Sequence, residues 1–264
     1  MDAINIQYEK IKREKRTGLM AHIVVGYPDI LSTRKLANIM SEEGADFIEL
    51  QIPFSDPLGD GEAIREANTK ALMAGIHPKD AFTLVETLRM QDGIATPLLF
   101  MTYMNIPFTY GLENFCRDAK VAGVSGLIIP DYNLELEKVD HFDAIARKYG
   151  LALCRFVALE SPRNRMEFIA QGAEGFVYCF SSQGITGIRA NLDSKLIKHL
   201  KRARGCFDRP LAVGFGISKP EHVHLLKGHA DIVVAGSVVL RAFNEGGFKR
   251  ARTKVRELVK ACIE

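Results

Sequence analysis

The chain contains no tryptophan, so no indole ring anchors its core or its surface. Cysteine is sparse and dispersed: Cys116, Cys154, Cys179, Cys206 and Cys262 form no CxxC pair. An odd, scattered set argues against structural zinc and against a disulfide framework, and fits a reducing compartment, with the cytoplasm as the default. No run approaches the roughly 18 uninterrupted apolar residues of a membrane span. The opening MDAINIQYEKIKREK has no apolar stretch behind its charges and does not read as a signal peptide. Charge of one sign is also lacking, the net value being only +3. The densest basic stretch, residues 198–204, has no interleaved aromatic residue and reads as the solvated face of a helix rather than a nucleic-acid surface. GxxxxGK is absent and no GxGxxG follows the first strand, which leaves nucleoside-triphosphate and dinucleotide binding unsupported.

What is present is a regular rhythm. Apolar residues make up 47% of the 264 and charged residues 25%, the balance of a globular protein with a large core. Short apolar runs predict strands at 20–26, 47–52, 96–105 (with its loop), 125–131, 151–159, 175–180, 210–216 and 230–237. Between them, helices are expected at 30–43 behind an Asp29 cap, 62–74, 78–90, 111–122, 134–149, 162–171 and 192–204. Ser218 with Glu221 reads as a capping box, and 245–263 as the closing helix. The strands are apolar on both faces, as in a parallel sheet covered by helices. Eight strand–helix units without a linker predict one α/β domain over 1–264, a (β/α)8 TIM barrel, with an extra amphipathic helix at 3–15. A doubly wound sheet is the alternative.

The chemistry concentrates in ADFIELQIPFSDPLGDG, residues 45–61. In a strand, Glu49 shares a face with Phe47 and Gln51, and a carboxylate among apolar residues costs too much desolvation to be casual. The strand runs into a loop where Asp60 can stand beside it, at the carboxyl end where barrels keep their active sites. A paired structural carboxylate is the plainer reading of the same residues. Late in the chain, Gly214-Phe215-Gly216 and Gly236-Ser237 end two strands. With Gly184 and Thr186-Gly187 after the sixth strand, they form a glycine-lined corner suited to phosphate, or simply tight turns. Tyr178 is core, or a lumen residue whose hydroxyl finds Glu49. His22 falls between Met20 and Val24 on one strand face, as a satisfied core histidine or a pocket wall. His222 and His224 read as surface residues, and no metal site is expected. No lysine sits in a predicted strand, which weighs against Schiff-base aldolase chemistry.

Five segments carry a resemblance over almost the whole chain: IELQIPFSDPLGDG at 48–61, MTYMNIPFTYG at 101–111, YCFSSQGITG at 178–187, GFGISKPEHV at 214–223 and AGS at 235–237. In these the chain resembles the tryptophan synthase alpha subunit family. The resemblance implies a barrel lyase that splits indole-3-glycerol phosphate, reversibly, into indole and glyceraldehyde 3-phosphate. It implies no cofactor in this chain, and an alpha2beta2 assembly with a pyridoxal-phosphate beta subunit that receives the indole. By position, Glu49 matches the acid/base carboxylate, Asp60 the carboxylate facing the indole nitrogen, and Tyr178 the site tyrosine. Gly187, Gly216, Gly236 and Ser237 match phosphate-binding positions, and Phe215 and Tyr103 fall in the matching substrate segments. Thr186 matches the threonine that meets Asp60 on closure. Asp56, Pro57, Asn105 and Phe108 match the beta-subunit interface. Departures from the family pattern include His22 in place of an apolar or aromatic wall residue, Pro130 after the fourth strand, Glu160 after the fifth, Ser182 in place of an arginine, and Gly59 in place of alanine. They leave two alternatives: a paralogous lyase for a different phosphorylated ring substrate, or a barrel serving mainly to activate a beta-type partner.

Overall fold

The structure, a computed structural model, describes residues 2–180, 194–214 and 216–264. Eight parallel strands close on themselves in sequence order: β1 (Gly18–Val24), β2 (Phe47–Gln51), β3 (Leu98–Met101), β4 (Gly126–Ile128), β5 (Ala152–Val157), β6 (Val177–Phe180), β7 (Leu211–Gly214) and β8 (Ile232–Ala235). The expected (β/α)8 barrel is what forms, and the open doubly wound sheet is not. Alternation along each strand sorts the side chains into two layers. Ile48, Leu50 and their counterparts Ala21, Ile23, Leu98 and Phe100 pack outward against the helices. Phe47, Met20, Leu99, Phe176 and Ala212 fill the lumen. The parity argument therefore places Glu49, between Phe47 and Gln51, on the lumen side, with His22 opposite it in the β1–β2 register.

The N-terminal helix Ala3–Arg13 closes the amino end of the barrel. Its Ile4 and Ile11 are fully buried within the lumen cluster. Glycine is required where they enter, because a Cβ on Gly18 would meet Ile11 Cδ1 at 2.6 Å and one on Gly126 would meet Ile4 Cδ1 at 2.8 Å. Each such buried isoleucine contributes on the order of 1.5–3 kcal/mol. The segment is fastened by Arg16, which grips Asp46 through two bonds of 2.7 Å, a forked geometry that adds direction to charge. Asp46 also accepts from Leu19 N at 2.9 Å, so the anchor holds the start of β1 itself. That explains why β1 begins at Gly18 rather than at 20: the sequence shows a glycine there, and only the plug makes it a strand residue.

Four other segments differ from expectation. Asn105–Tyr110 forms a short helix directly after β3. The helix expected at 134–149 is broken into Leu134–Leu136, Glu137–Asp140 and Phe142–Lys148. His141 takes a left-handed conformation (φ 54°) at the break. The carboxylates of Asp140 and Glu137 then accept from Phe142 N (3.1 Å) and Asp143 N (2.6 Å), satisfying the amides that the break frees. The last helical stretch starts at Ser237, not 245, and is kinked at Gly246 and Gly247. The predicted capping box is absent: the helix Pro220–Leu226 is capped at Lys219 without a side-chain bond.

His199 in the helix Ser194–Arg204 is buried, and neither ring nitrogen has a partner. Burial, reinforced by Arg202, pushes its pKa down to about 4. Above its ordinary value the residue is neutral in both folded and unfolded chains and costs nothing in linkage. As pH falls through roughly 6.5 the unfolded chain takes a proton that the folded one refuses, and stability drops until about pH 4. The full loss is about 3 kcal/mol. We expect His199→Leu to be nearly neutral at pH 7.5 and more stable than the parent at pH 5 in urea unfolding; equal stability differences at the two pH values would contradict this.

Candidate active site

A cavity opens at the carboxyl end of the barrel, lined among others by His22, Glu49, Asp60 and Tyr178. One side of it is acidic. Glu49 stands mid-β2 and is 3% exposed; Asp60, nine residues' bonding distance along the chain from Gln51, is 4% exposed. Gln51 Nε2 donates to Asp60 Oδ2 at 2.6 Å, so the strand residue after Glu49 on the lumen face holds the second carboxylate in place. The loop is further fixed from outside. Phe54 N donates to Asn68 Oδ1 (2.9 Å), Gly59 N donates to the Tyr103 hydroxyl (3.2 Å), and the Phe54 and Tyr103 rings stack at 5.1 Å. Asn68, buried on the following helix, was not singled out in the sequence; a polar residue on an otherwise apolar helix face was its one signal.

Burial pushes the Asp60 carboxyl above its ordinary range, opposed by the Gln51 hydrogen bond, by His22 and by Tyr103. Burial likewise raises the Tyr178 phenol well above its ordinary value, and the nearby Glu49 and Asp60 add to it. Tyr178 is thus kept as a protonated phenol. It stacks on Phe156 at 5.1 Å, and a Cβ on Gly214 would run into its hydroxyl. Glycine at that strand end therefore makes room for the tyrosine.

Gly216, Gly236 and Ser237 line the same cavity at the ends of β7 and β8. Gly216 has φ +96°, open to glycine at little cost. Gly236 precedes the helix that starts at Ser237, and both line the cavity, so a helix start of the kind that binds anions stands at its edge. His222 braces this corner: its Nδ1 lies 2.9 Å from Gly216 O and 3.3 Å from Ser218 N. It is buried rather than on the surface, as sequence reasoning had it, because the turn after β7 folds back over the helix start. Thr186, Gly187 and Phe215 lie outside the described residues, as do Ser182 and Gly184.

His22 and Pro130 line the same cavity, whereas Glu160 is exposed. Of the residues expected at a partner face, Asp56, Asn105 and Phe108 are exposed, Phe108 to 69%, and Pro57 is buried within the chain. Met104 N donates to both Asp131 oxygens (3.0 and 3.1 Å), which joins the loops after β3 and β4. Among the described residues no group of three or more His, Cys, Asp or Glu could hold a metal ion, and no helix is long and apolar enough to cross a membrane.

A closed parallel barrel with two buried carboxylates at the carboxyl ends of its strands, facing a glycine-framed helix start, has the layout of the (β/α)8 enzymes. The family profile described as Tryptophan synthase alpha chain matches residues 8–263, and the chain belongs to that family. It is 42% identical over 245 residues to the tryptophan synthase alpha chain of Desulfotalea psychrophila, covering 91% of this chain and 95% of that one. Identity to the alpha chain of Syntrophotalea carbinolica is 40% over 240 residues, 91% and 93% of the two chains. Among solved structures, a chain of Mycobacterium tuberculosis tryptophan synthase superposes with a TM-score of 0.91 at 28% identity, covering 99% of this chain and 98% of that one. The Legionella pneumophila tryptophan synthase alpha chain gives 0.87 at 29%, covering 99% and 97%.

Proposed function

We propose that this chain cleaves indole-3-glycerol phosphate into indole and glyceraldehyde 3-phosphate, as one domain over 1–264 acting in the cytoplasm as the alpha component of an alpha2beta2 tryptophan synthase. The observation that carries the proposal is the placement of Glu49 and Asp60 in one buried cavity that ends at Gly216, Gly236 and Ser237. Breaking the carbon–carbon bond requires a proton delivered to the ring carbon and one removed from the side-chain hydroxyl. Glu49, with an oxygen free of partners, can do both in turn. Asp60 faces the ring nitrogen, where positive charge grows as the bond breaks. Burial holds its carboxyl above the ordinary range; a developing cation acts in the same sense as His22 and draws it toward the ionised form. Tyr178 bounds the reacting carbon chain, and Tyr103 holds the Asp60 loop. The glycine corner anchors the phosphate so that remote binding energy positions the bond to be cleaved.

The exposed Asp56, Asn105 and Phe108, with Pro57 beneath them, suit a beta-subunit face, and the pyridoxal phosphate belongs to that partner. A second reading, a paralogous lyase for a more polar ring, draws support from His22 in the cavity wall. Indole release from indole-3-glycerol phosphate by the purified chain, with and without a beta subunit, tests both. We expect turnover that rises in the complex as the loops order, and a loss of about a hundredfold in Asp60→Asn, whose amide cannot supply the charge. Absence of turnover with the beta subunit bound would refute the substrate assignment, and undiminished turnover in Asp60→Asn would refute the electrostatic role.

A further inference from the structure

The cavity contains two carboxylates and, on the reading above, receives a phosphorylated ligand, yet among the described residues its lining includes no lysine or arginine. A dianionic group brought near Glu49 and Asp60 is repelled by them, and a cationic donor placed between offsets part of that repulsion. The one side chain in that lining able to become a cation is His22. It is 5% exposed, and its Nδ1 lies 3.5 Å from Glu49 Oε1. The pairing is built into the sheet, since His22 and Glu49 are register partners on β1 and β2. On its other side the ring packs against Gly236, where a Cβ would meet the His22 ring at 3.1 to 3.2 Å. The imidazole is therefore wedged between the acid/base carboxylate and the β8 end of the glycine corner. Nε2 of His22 and Oε2 of Glu49 are both buried and without a partner, an arrangement that costs desolvation unless a ligand completes it.

We propose that His22 is a positioning residue: as an imidazolium it pairs through Nδ1–H with Glu49, aiming that carboxylate into the cavity, and offers Nε2–H to an oxygen of the anionic ligand beside Gly236. The reacting proton still moves between substrate and Glu49, and His22 takes no part in bond breaking. The titratable groups around the ring are Glu49 on β2, Asp60 in the following loop and Tyr178 on β6; β8 and the helix after it contribute Gly236 and Ser237, which carry no charge. Burial alone would lower the pKa of His22, but the charge and hydrogen bond of Glu49, with Asp60 and Gln51, outweigh it and the net direction is upward.

The inference rests on the lyase reading for its kinetic consequence but not for its direct test. In the intact protein, NMR titration of the histidine imidazoles, with the His22 signal assigned by its loss in His22→Asn, should show His22 titrating above the ordinary range. In Glu49→Gln it should fall by more than about one pH unit. Inorganic phosphate should raise the His22 value in the parent protein. If the titration is unchanged by Glu49→Gln, the pairing does not exist, whatever the substrate. In the cleavage assay, the limb of the kcat/KM profile set by His22 should be lost in His22→Asn. A folded, active His22→Asn or His22→Phe protein with the parental profile would reduce His22 to a packing residue. A parent protein inactive on indole-3-glycerol phosphate would fail the substrate reading alone, leaving the titration to decide the pairing.

Discussion

Glu49→Gln is expected to lower the release of indole from indole-3-glycerol phosphate by at least about a hundredfold, the scale of a lost general acid–base group. Glutamine matches the size of glutamate and keeps hydrogen-bonding capacity, so the β2 strand and its pairing with β1 and β3 should be undisturbed. What it removes is the ability to carry a proton between the side-chain hydroxyl and the ring carbon. Asp60 is tied to Gln51 at 2.6 Å and Tyr178 is held in its protonated form, so neither is free to take over that role. The loss should appear in kcat, with the affinity for glyceraldehyde 3-phosphate retained, because the residues proposed to hold the phosphate, Gly216, Gly236 and Ser237, are unchanged by the substitution. Activity within a few-fold of the parent would remove Glu49 from the mechanism. A loss of phosphate affinity of the same size would instead mean that the substitution had collapsed the cavity.

Gly236→Asp is expected to abolish phosphate binding while sparing the fold. Gly236 stands at the N-cap of the helix starting at Ser237 and has no side-chain capping bond of its own. Aspartate is among the best capping residues, so its carboxylate should turn onto the same amides that an incoming phosphate would use. The helix gains a cap and the ligand loses its site. Contact between the new Cβ and the His22 ring, at 3.1 to 3.2 Å, requires a shift of a few tenths of an ångström and tempers the stability gain. The dissociation constant for inorganic phosphate or glyceraldehyde 3-phosphate should rise at least about a hundredfold, roughly 3 kcal/mol. Gly236→Ala separates the two effects, since it introduces the contact without the charge and should cost far less. Parental phosphate affinity in folded Gly236→Asp would move the anion site to another part of the molecule.

Why so much was legible in the sequence can be seen at Glu49. Side chains on a strand alternate faces, so once 47–52 is taken as a strand, Phe47, Glu49 and Gln51 must point together and Ile48, Leu50 and Ile52 must point the other way; both layers are found as expected. The eightfold rhythm of apolar runs, the aspartate–glycine loop after the second of them and the glycines ending the last two are equally local. They follow from short-range sterics and burial and need no knowledge of the remainder of the chain. The expected break points of helices were less secure. At 134–149 the apolar spacing continues through His141, and the interruption depends on the Asp140 and Glu137 side chains folding back onto freed amides.

Contacts between distant strands belonged to the tertiary structure alone. Parity puts His22 on the lumen face, but only the β1–β2 register sets it opposite Glu49, and only closure of β8 onto β1 brings Gly236 against its ring. His222 looked like a surface residue until the turn after β7 folded over it. Ile4 and Ile11 were the apolar side of a small helix until the open end of a barrel gave them a place to be buried. The local pattern determines which way a side chain points and how each segment is built. Which side chains meet is decided by strand register and barrel closure, which are properties of the whole packed core, where every strand must satisfy its neighbours on both sides at once.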